Sequence, residues 1–246
     1  MKIFFTLLLL GLLIPPSSAE NTVVTAVCDP WPVLLDPDSE KQGLIIEVAQ
    51  AAYLSQGYDL KVNFVPWSRA MVMIEQKKAS LLLGAWYTKK RNEYLLYSKP
   101  IFSSAIQFIK PKSSNFSYEG IDSLQGKRVG TILSYQYDLA FLAEKSIERI
   151  EANSLLNNIH NLIAGRIDLT LDDHYVLEYM LERHIPNWQD KVSFVEQPLA
   201  DKDIFLAANR TNPKHQRLID AFNTGLAQLK KSGRYEEIVS SYNLDE

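Results

Sequence analysis

Residues 81–102 read LLLGAWYTKKRNEYLLYSKPIF, and the fold follows from how this stretch is read. Leu81-Leu82-Leu83 is a short, wholly apolar run, the pattern of a buried strand. Directly after it come Gly84, Trp86, Thr88 and Arg91. A chain leaving a buried strand can present backbone amides, a planar indole and a guanidinium at the mouth of a pocket. The guanidinium fork holds a carboxylate through two parallel charge-assisted bonds. The implied chemistry is recognition of a small anion. Arg91 also has a plainer reading, as one solvated charge in the basic run Lys89-Lys90-Arg91.

Upstream, Val23, Thr25 and Val27 alternate into Cys28-Asp29-Pro30-Trp31-Pro32, a strand ending in a proline-braced loop. Apolar residues at helical spacing run over 45–54 and stop before Gly57, and Leu60, Val62 and Phe64 alternate as a half-solvated strand. A helix is expected over about 68–78. This strand-helix-strand-helix-strand order predicts a mostly parallel sheet covered by helices.

Downstream, a Ser- and Asn-rich break at 111–118 precedes a second series of the same kind. Residues 126–133 read as turn then strand, 136–145 as helix, and 154–164 as a helix capped by Ser154 and ended by Gly165. Residues 167–171 read as strand, 173–183 as helix, 192–195 as strand. Residues 204–208 form a further strand, and Asn212-Pro213 is a strong helix start, a side-chain cap followed by a ring already at helical φ. Leu218, Ile219, Phe222, Leu226 and Leu229 make that helix's apolar stripe. Gly233 stops it, one short helix follows over 234–242, and this terminal pair is expected to return to the first unit. The expected architecture is α/β: two lobes, 20–107 with 204–246 and 108–203, joined by two crossing strands near 106–109 and 204–207. Such lobes can close on a ligand by hinge bending.

Composition narrows the function. With 26 Lys+Arg against 29 Asp+Glu, the formal charge of −3 gives no reason to expect nucleic acid or anionic lipid as a partner. Lys2, the apolar run 3–14 and the small residues at 15–19 read as a cleaved export signal, with the mature protein starting at Glu20. Cys28 is the only cysteine, read as a buried strand residue with a free reactive thiol as the alternative. His160, His174, His184 and His215 lack metal-ligand spacing, and neither a phosphate-binding glycine loop nor a Gly-x-Ser-x-Gly elbow occurs. No metal, no cofactor and no catalytic residue is expected.

Taken together and in order, the motifs DPWPVL, GLIIEVAQAAY, GAWYTKKRNEYLLYSKPIF, QGKRVGTIL, LIAGRIDLTLDD and LKKSGRYEEIVSSY resemble the family 3 extracellular solute-binding proteins. These are periplasmic receptors that deliver polar amino acids to ABC importers. The resemblance implies a type II periplasmic-binding-protein fold, each lobe a mixed, mostly parallel sheet flanked by helices. It also implies a non-enzymatic monomer working with an inner-membrane permease. By it, Arg91 matches the arginine that grips a ligand's carboxylate, Thr88 a turn-shaping threonine, Trp31 the aromatic that covers the ligand, and Asp173 the acid that receives an amino group. From the residues alone, Asp173 could instead cap a helix, with Asp172 the better candidate for that cap.

Departures from the family pattern point to a flatter or more aromatic ligand. Trp86 stands where a small hydroxyl residue is usual, and Ser134-Tyr135-Gln136 replaces a Gly-Thr-Thr-like loop. Pro66-Trp67-Ser68-Arg69-Ala70 resembles a pattern of divergent members, in which Trp67 could line the cleft and Arg69 bring a second positive charge. The alternative functions are a periplasmic sensor module and a cyclohexadienyl-dehydratase-like enzyme on the same scaffold.

Overall fold

A computed structural model of the chain describes residues 21–133 and 135–244. The predicted export signal, 1–19, and Ser134 lie outside the described residues. The first series comprises β1 (Thr22–Cys28), α1 (Leu44–Leu54), β2 (Tyr58–Phe64), α2 (Trp67–Glu75), β3 (Leu81–Trp86), α3 (Lys89–Asn92) and β4 (Leu95–Tyr97). A long strand, β5 (Phe102–Pro111), leads to β6 (Arg128–Ile132), α4 (Leu139–Ala143), β7 (Glu148–Ala152), α5 (Leu155–Ile163), β8 (Leu169–Asp173), α6 (His174–His184) and β9 (Val192–Phe194). A second long strand, β10 (Ala200–Asn209), is followed by α7 (Pro213–Ser232) and α8 (Arg234–Ser240).

Hydrogen bonding runs β2-β1-β3-β10-β5-β8-β6-β7, with β4 also on β10 and β9 also on β5. The same parallel triple therefore occurs twice: β1 between β2 and β3, and β6 between β7 and β8. The triples meet through β5 and β10. Residues 200–204 of β10 lie antiparallel to residues 102–106 of β5, after which the strands part. Beyond that shared stretch β10 continues along β3 and β4, whereas β5 continues along β8 and β9. These are the two crossing strands, and the chain is a two-lobed α/β protein.

Local chemistry sets the helix ends as the sequence implies. Ser154 and Asn212 accept backbone N–H groups at the starts of α5 and α7, and Gly233 ends α7 in the left-handed region at φ 79°. The buried stripe Ile219, Phe222, Leu226 and Leu229 lays α7 against the first lobe. There Gly225 meets α1 so closely that a Cβ on it would fall 2.1 Å from the Ala52 carbonyl oxygen. The Tyr53 hydroxyl donates to the Leu218 carbonyl at 3.1 Å, and Tyr242, just past α8, donates to Glu47 at 3.0 Å, so the C-terminal segment packs on α1. Cys28 is fully buried in β1.

Two strands escaped the sequence reading. β7 carries Glu148, Arg149 and Glu151 because it is the outermost strand of the second lobe, and β4 is only three residues long. The helix expected over 136–145 shortens to α4, since Asp138 caps its start by accepting from Ala140 and Phe141 N–H.

Candidate functional site

The site begins where β3 ends. Gly84 has φ 78°, and an added Cβ there would lie 2.6 Å from the Leu35 side chain, so the loop after β1 can close tightly onto β3 only over glycine. Thr88 caps α3, its Oγ1 accepting the Arg91 N–H at 3.0 Å. This single turn swings Arg91 inward: it is buried, 7% exposed. Its guanidinium packs on the Trp67 ring at 5.0 Å, and its Nη1 donates to the Trp86 carbonyl at a long 3.5 Å. None of the ion pairs among the described residues involves Arg91. Burial accordingly pulls its pKa down, the mark of a cation short of solvent and of a counter-charge.

Aromatic rings enclose this charge. Trp31 and Trp86 meet edge to face at 5.5 Å, and Trp86 meets Tyr135 at 5.7 Å and Tyr137 at 6.0 Å. The buried indole N–H of Trp86 has no acceptor among the described residues. An inner cavity of about 20 Å³ is lined by Asp29, Trp31, Trp67, Gly84, Trp86, Arg91, Tyr135 and Gln136. It joins an outer cleft of about 660 Å³, open to solvent, walled by 29–32 and 64–68 on one side and by Leu133, 153–156, Asp172, Val176 and Met180 on the other.

Two carboxylates stand at the junction, Asp172 buried and Asp29 half-buried, and both span the lobes. Asp29, just after β1, accepts from the Tyr135 hydroxyl at 3.1 Å. Asp172, in β8, accepts the Trp31 indole N–H at 2.9 Å through Oδ1, which also takes the Asp173 N–H at 2.8 Å, while its Oδ2 has no donor among the described residues. Burial pushes the pKa of Asp29 up to about 6 and that of Asp172 up to about 7. Neither acid takes part in an ion pair among the described residues, so both would gain from a cation.

The profile of the bacterial extracellular solute-binding proteins, family 3, matches residues 23–245. The chain belongs to this family. A curated relative, the arginine-binding periplasmic protein of Mannheimia haemolytica, is 26% identical over 230 residues, 92% of each chain. The putative ABC transporter arginine-binding protein 2 of Escherichia coli strain K12 is 24% identical over 98% of each. Among solved structures, a mutant ArgBP from T. maritima superposes with a TM-score of 0.77 at 18% identity, covering 91% of this chain and 96% of that one. A histidine kinase sensor domain with similarity to periplasmic binding proteins reaches 0.79, also at 18% identity and with the same coverage. These likenesses establish the type II fold. The family and its named relatives make the protein an extracellular solute-binding protein rather than an enzyme.

Against the family pattern, the structure brings together Arg91, Trp31, Trp67, Trp86 and Tyr135, while Thr88 acts through the turn it caps. The two acids of β8 exchange the roles read from the sequence. Asp173, not Asp172, is the α6 cap, its Oδ1 accepting the Tyr175 N–H at 3.1 Å, and among the described residues it lines neither cavity. Neighbouring strand residues face opposite sides, so as Asp173 turns to the helix Asp172 turns to the cleft. Arg69 is exposed on α2, outside both linings, so the second positive charge expected of it is not delivered to the cleft. Asp29 is a cleft residue that the sequence reading missed, and Gln136, read there only as part of the 134–136 loop, lines the inner cavity. For Asp29 the available signal was its place directly after a buried strand, one residue before the Pro30-Trp31 pair.

Proposed function

We propose that this receptor captures an amino acid bearing a planar, cationic side chain, with L-arginine the first candidate, and presents it in the periplasm to an ABC importer. The observation that carries the reading is the buried guanidinium of Arg91, facing an aromatic cavity with no carboxylate among the described residues as its ion-pair partner. Arg91 receives the ligand carboxylate. Asp29 and Asp172 receive its two positive charges, so one cation and two anions of the cleft are matched together. Trp31, Trp67 and Trp86 offer faces on which a flat guanidinium stacks. Two relatives named for arginine support the same choice.

Ligand contacts from both lobes favour the closed form by their differential affinity. The assignment of 20–107 with 204–246 to one lobe and 108–203 to the other, cleavage after residue 19, and action as a monomer belong to the same proposal. Calorimetric titration tests it. L-arginine should bind, agmatine, which lacks the carboxylate, should bind at least a hundredfold more weakly, and Arg91→Ala should cost roughly 2–5 kcal/mol. Full affinity in that variant would remove the reading's foundation.

A further inference from the structure

The cleft is larger than a single amino acid needs. Ligand sites of roughly 300–1,000 Å³ enclose most of a drug-sized molecule. The inner cavity, at about 20 Å³, admits only a small group such as a carboxylate, whereas the outer cleft, at about 660 Å³, lies well inside that range. The two share Asp29, Trp31, Trp67 and Tyr135, so one ligand can occupy both. Their characters differ. The inner cavity holds the guanidinium, whereas both walls of the outer cleft carry apolar side chains that the fold leaves partly uncovered: Phe64 and Val65 on the first lobe, Leu133, Leu156 and Met180 on the second. Leu133 is 50% exposed. Apolar surface facing itself across a ligand cleft, continuous with an anion site, fits a ligand with an apolar extension.

Resting on the reading above, we propose that the preferred ligand is a short peptide with a free carboxyl terminus and an apolar N-terminal residue. Its terminal carboxylate reaches Arg91, the rest of the molecule occupies the outer cleft, and its apolar side chain lies between Phe64 and Val65 on one wall and Leu133, Leu156 and Met180 on the other. A fatty acid would satisfy Arg91 and the apolar walls but not the carboxylates at the junction, where Asp172 Oδ2 lacks a donor among the described residues. A peptide supplies donors there, the amide N–H and the terminal ammonium. Ser68, Asn153 and Ser154 add polar groups along the same cleft for its backbone. A dipeptide such as Leu-Arg keeps the charge balance of free arginine, one negative and two positive, while filling more of the cleft.

The test is calorimetry on the mature protein, stripped of ligand by unfolding and refolding, with L-arginine, Gly-Arg, Leu-Arg and the Leu-Arg amide. Leu-Arg should bind about tenfold or more tightly than L-arginine, from burial of one leucine side chain. Gly-Arg should fall between them, and the amide should lose most of the affinity. In Leu133→Ser the advantage of Leu-Arg over Gly-Arg should shrink. If L-arginine binds as tightly as Leu-Arg or more so, with Arg91→Ala still abolishing its binding, the peptide inference is overturned while the proposed function stands. Gly-Arg matching Leu-Arg also overturns it, because the apolar walls would then contribute nothing. If no probe binds, both fall.

Discussion

Asp172 offers a direct measurement of the electrostatic strain in the cleft. Asp172→Asn keeps Oδ1, and with it the hydrogen bonds from Trp31 Nε1 and the Asp173 N–H, and exchanges an oxygen that has no donor among the described residues for an uncharged amide nitrogen. In the folded protein burial raises this acid from an ordinary 3.8 to about 7, equivalent to at most about 4 kcal/mol. Below about pH 4 the group is protonated in both folded and unfolded states, and the folded form keeps its full stability. Between about 4 and 7 the unfolded chain has released a proton that the folded protein still holds, so stability falls as pH rises through that window. The substituted amide does not titrate. Its unpaired N–H group costs about 1–3 kcal/mol instead, independent of pH. The variant should therefore be less stable than the parent at pH 4.5 and about 1–3 kcal/mol more stable at pH 8, the two curves crossing between. Urea denaturation of ligand-stripped protein, followed by tryptophan fluorescence at pH 4.5, 6 and 8, reads this out. Asp29 and Asp173, both raised to about 6 by burial, leave a shallower slope of the same sign in the variant. Parallel pH profiles for the two proteins, or a variant weaker at pH 8, would show that the Asp172 charge is not the strained group.

Trp31→Phe removes one of two side-chain hydrogen bonds that, among the described residues, tie the lobes across the cleft. Small-angle scattering should show a larger radius of gyration without ligand, and ligand affinity should drop about tenfold, whereas an unchanged curve would mean that this bond does not hold the lobes together. Gly225→Ala forces a methyl group against the Ala52 carbonyl, a backbone atom that cannot rotate away. Thermal unfolding should report a loss of about 1–3 kcal/mol, and wild-type stability would contradict the close α1–α7 packing. The Cys28 thiol, buried in β1 with its pKa pushed up by burial, should ignore Ellman's reagent in the native protein and react fully in denaturant; native-state labelling would identify it as a reactive surface thiol.

Much of this protein is written locally. Ser154, Asn212 and Gly233 mark helix ends because a cap or a left-handed turn involves only residues within one helical turn. The order of apolar runs marks the paired α/β units because burial imposes its period on each strand and helix separately. Thr88 and Arg91 are legible for the same reason: three residues apart, they form one turn that aims the guanidinium. β7 is not legible, because its charges reflect a place at the sheet edge that only strand pairing assigns. The acids of the cleft depend on contacts between distant parts of the chain. Whether Asp172 or Asp173 faces the ligand turns on a one-residue choice of where β8 ends and α6 begins. That choice is coupled to the Trp31 indole, 141 positions away in sequence. Asp29 acquires its role only when Tyr135 of the other lobe reaches it. Chain order sets the elements and the anchor, and the meeting of the lobes decides which carboxylates oppose it, because a buried charge is defined by neighbours that local sequence does not contain.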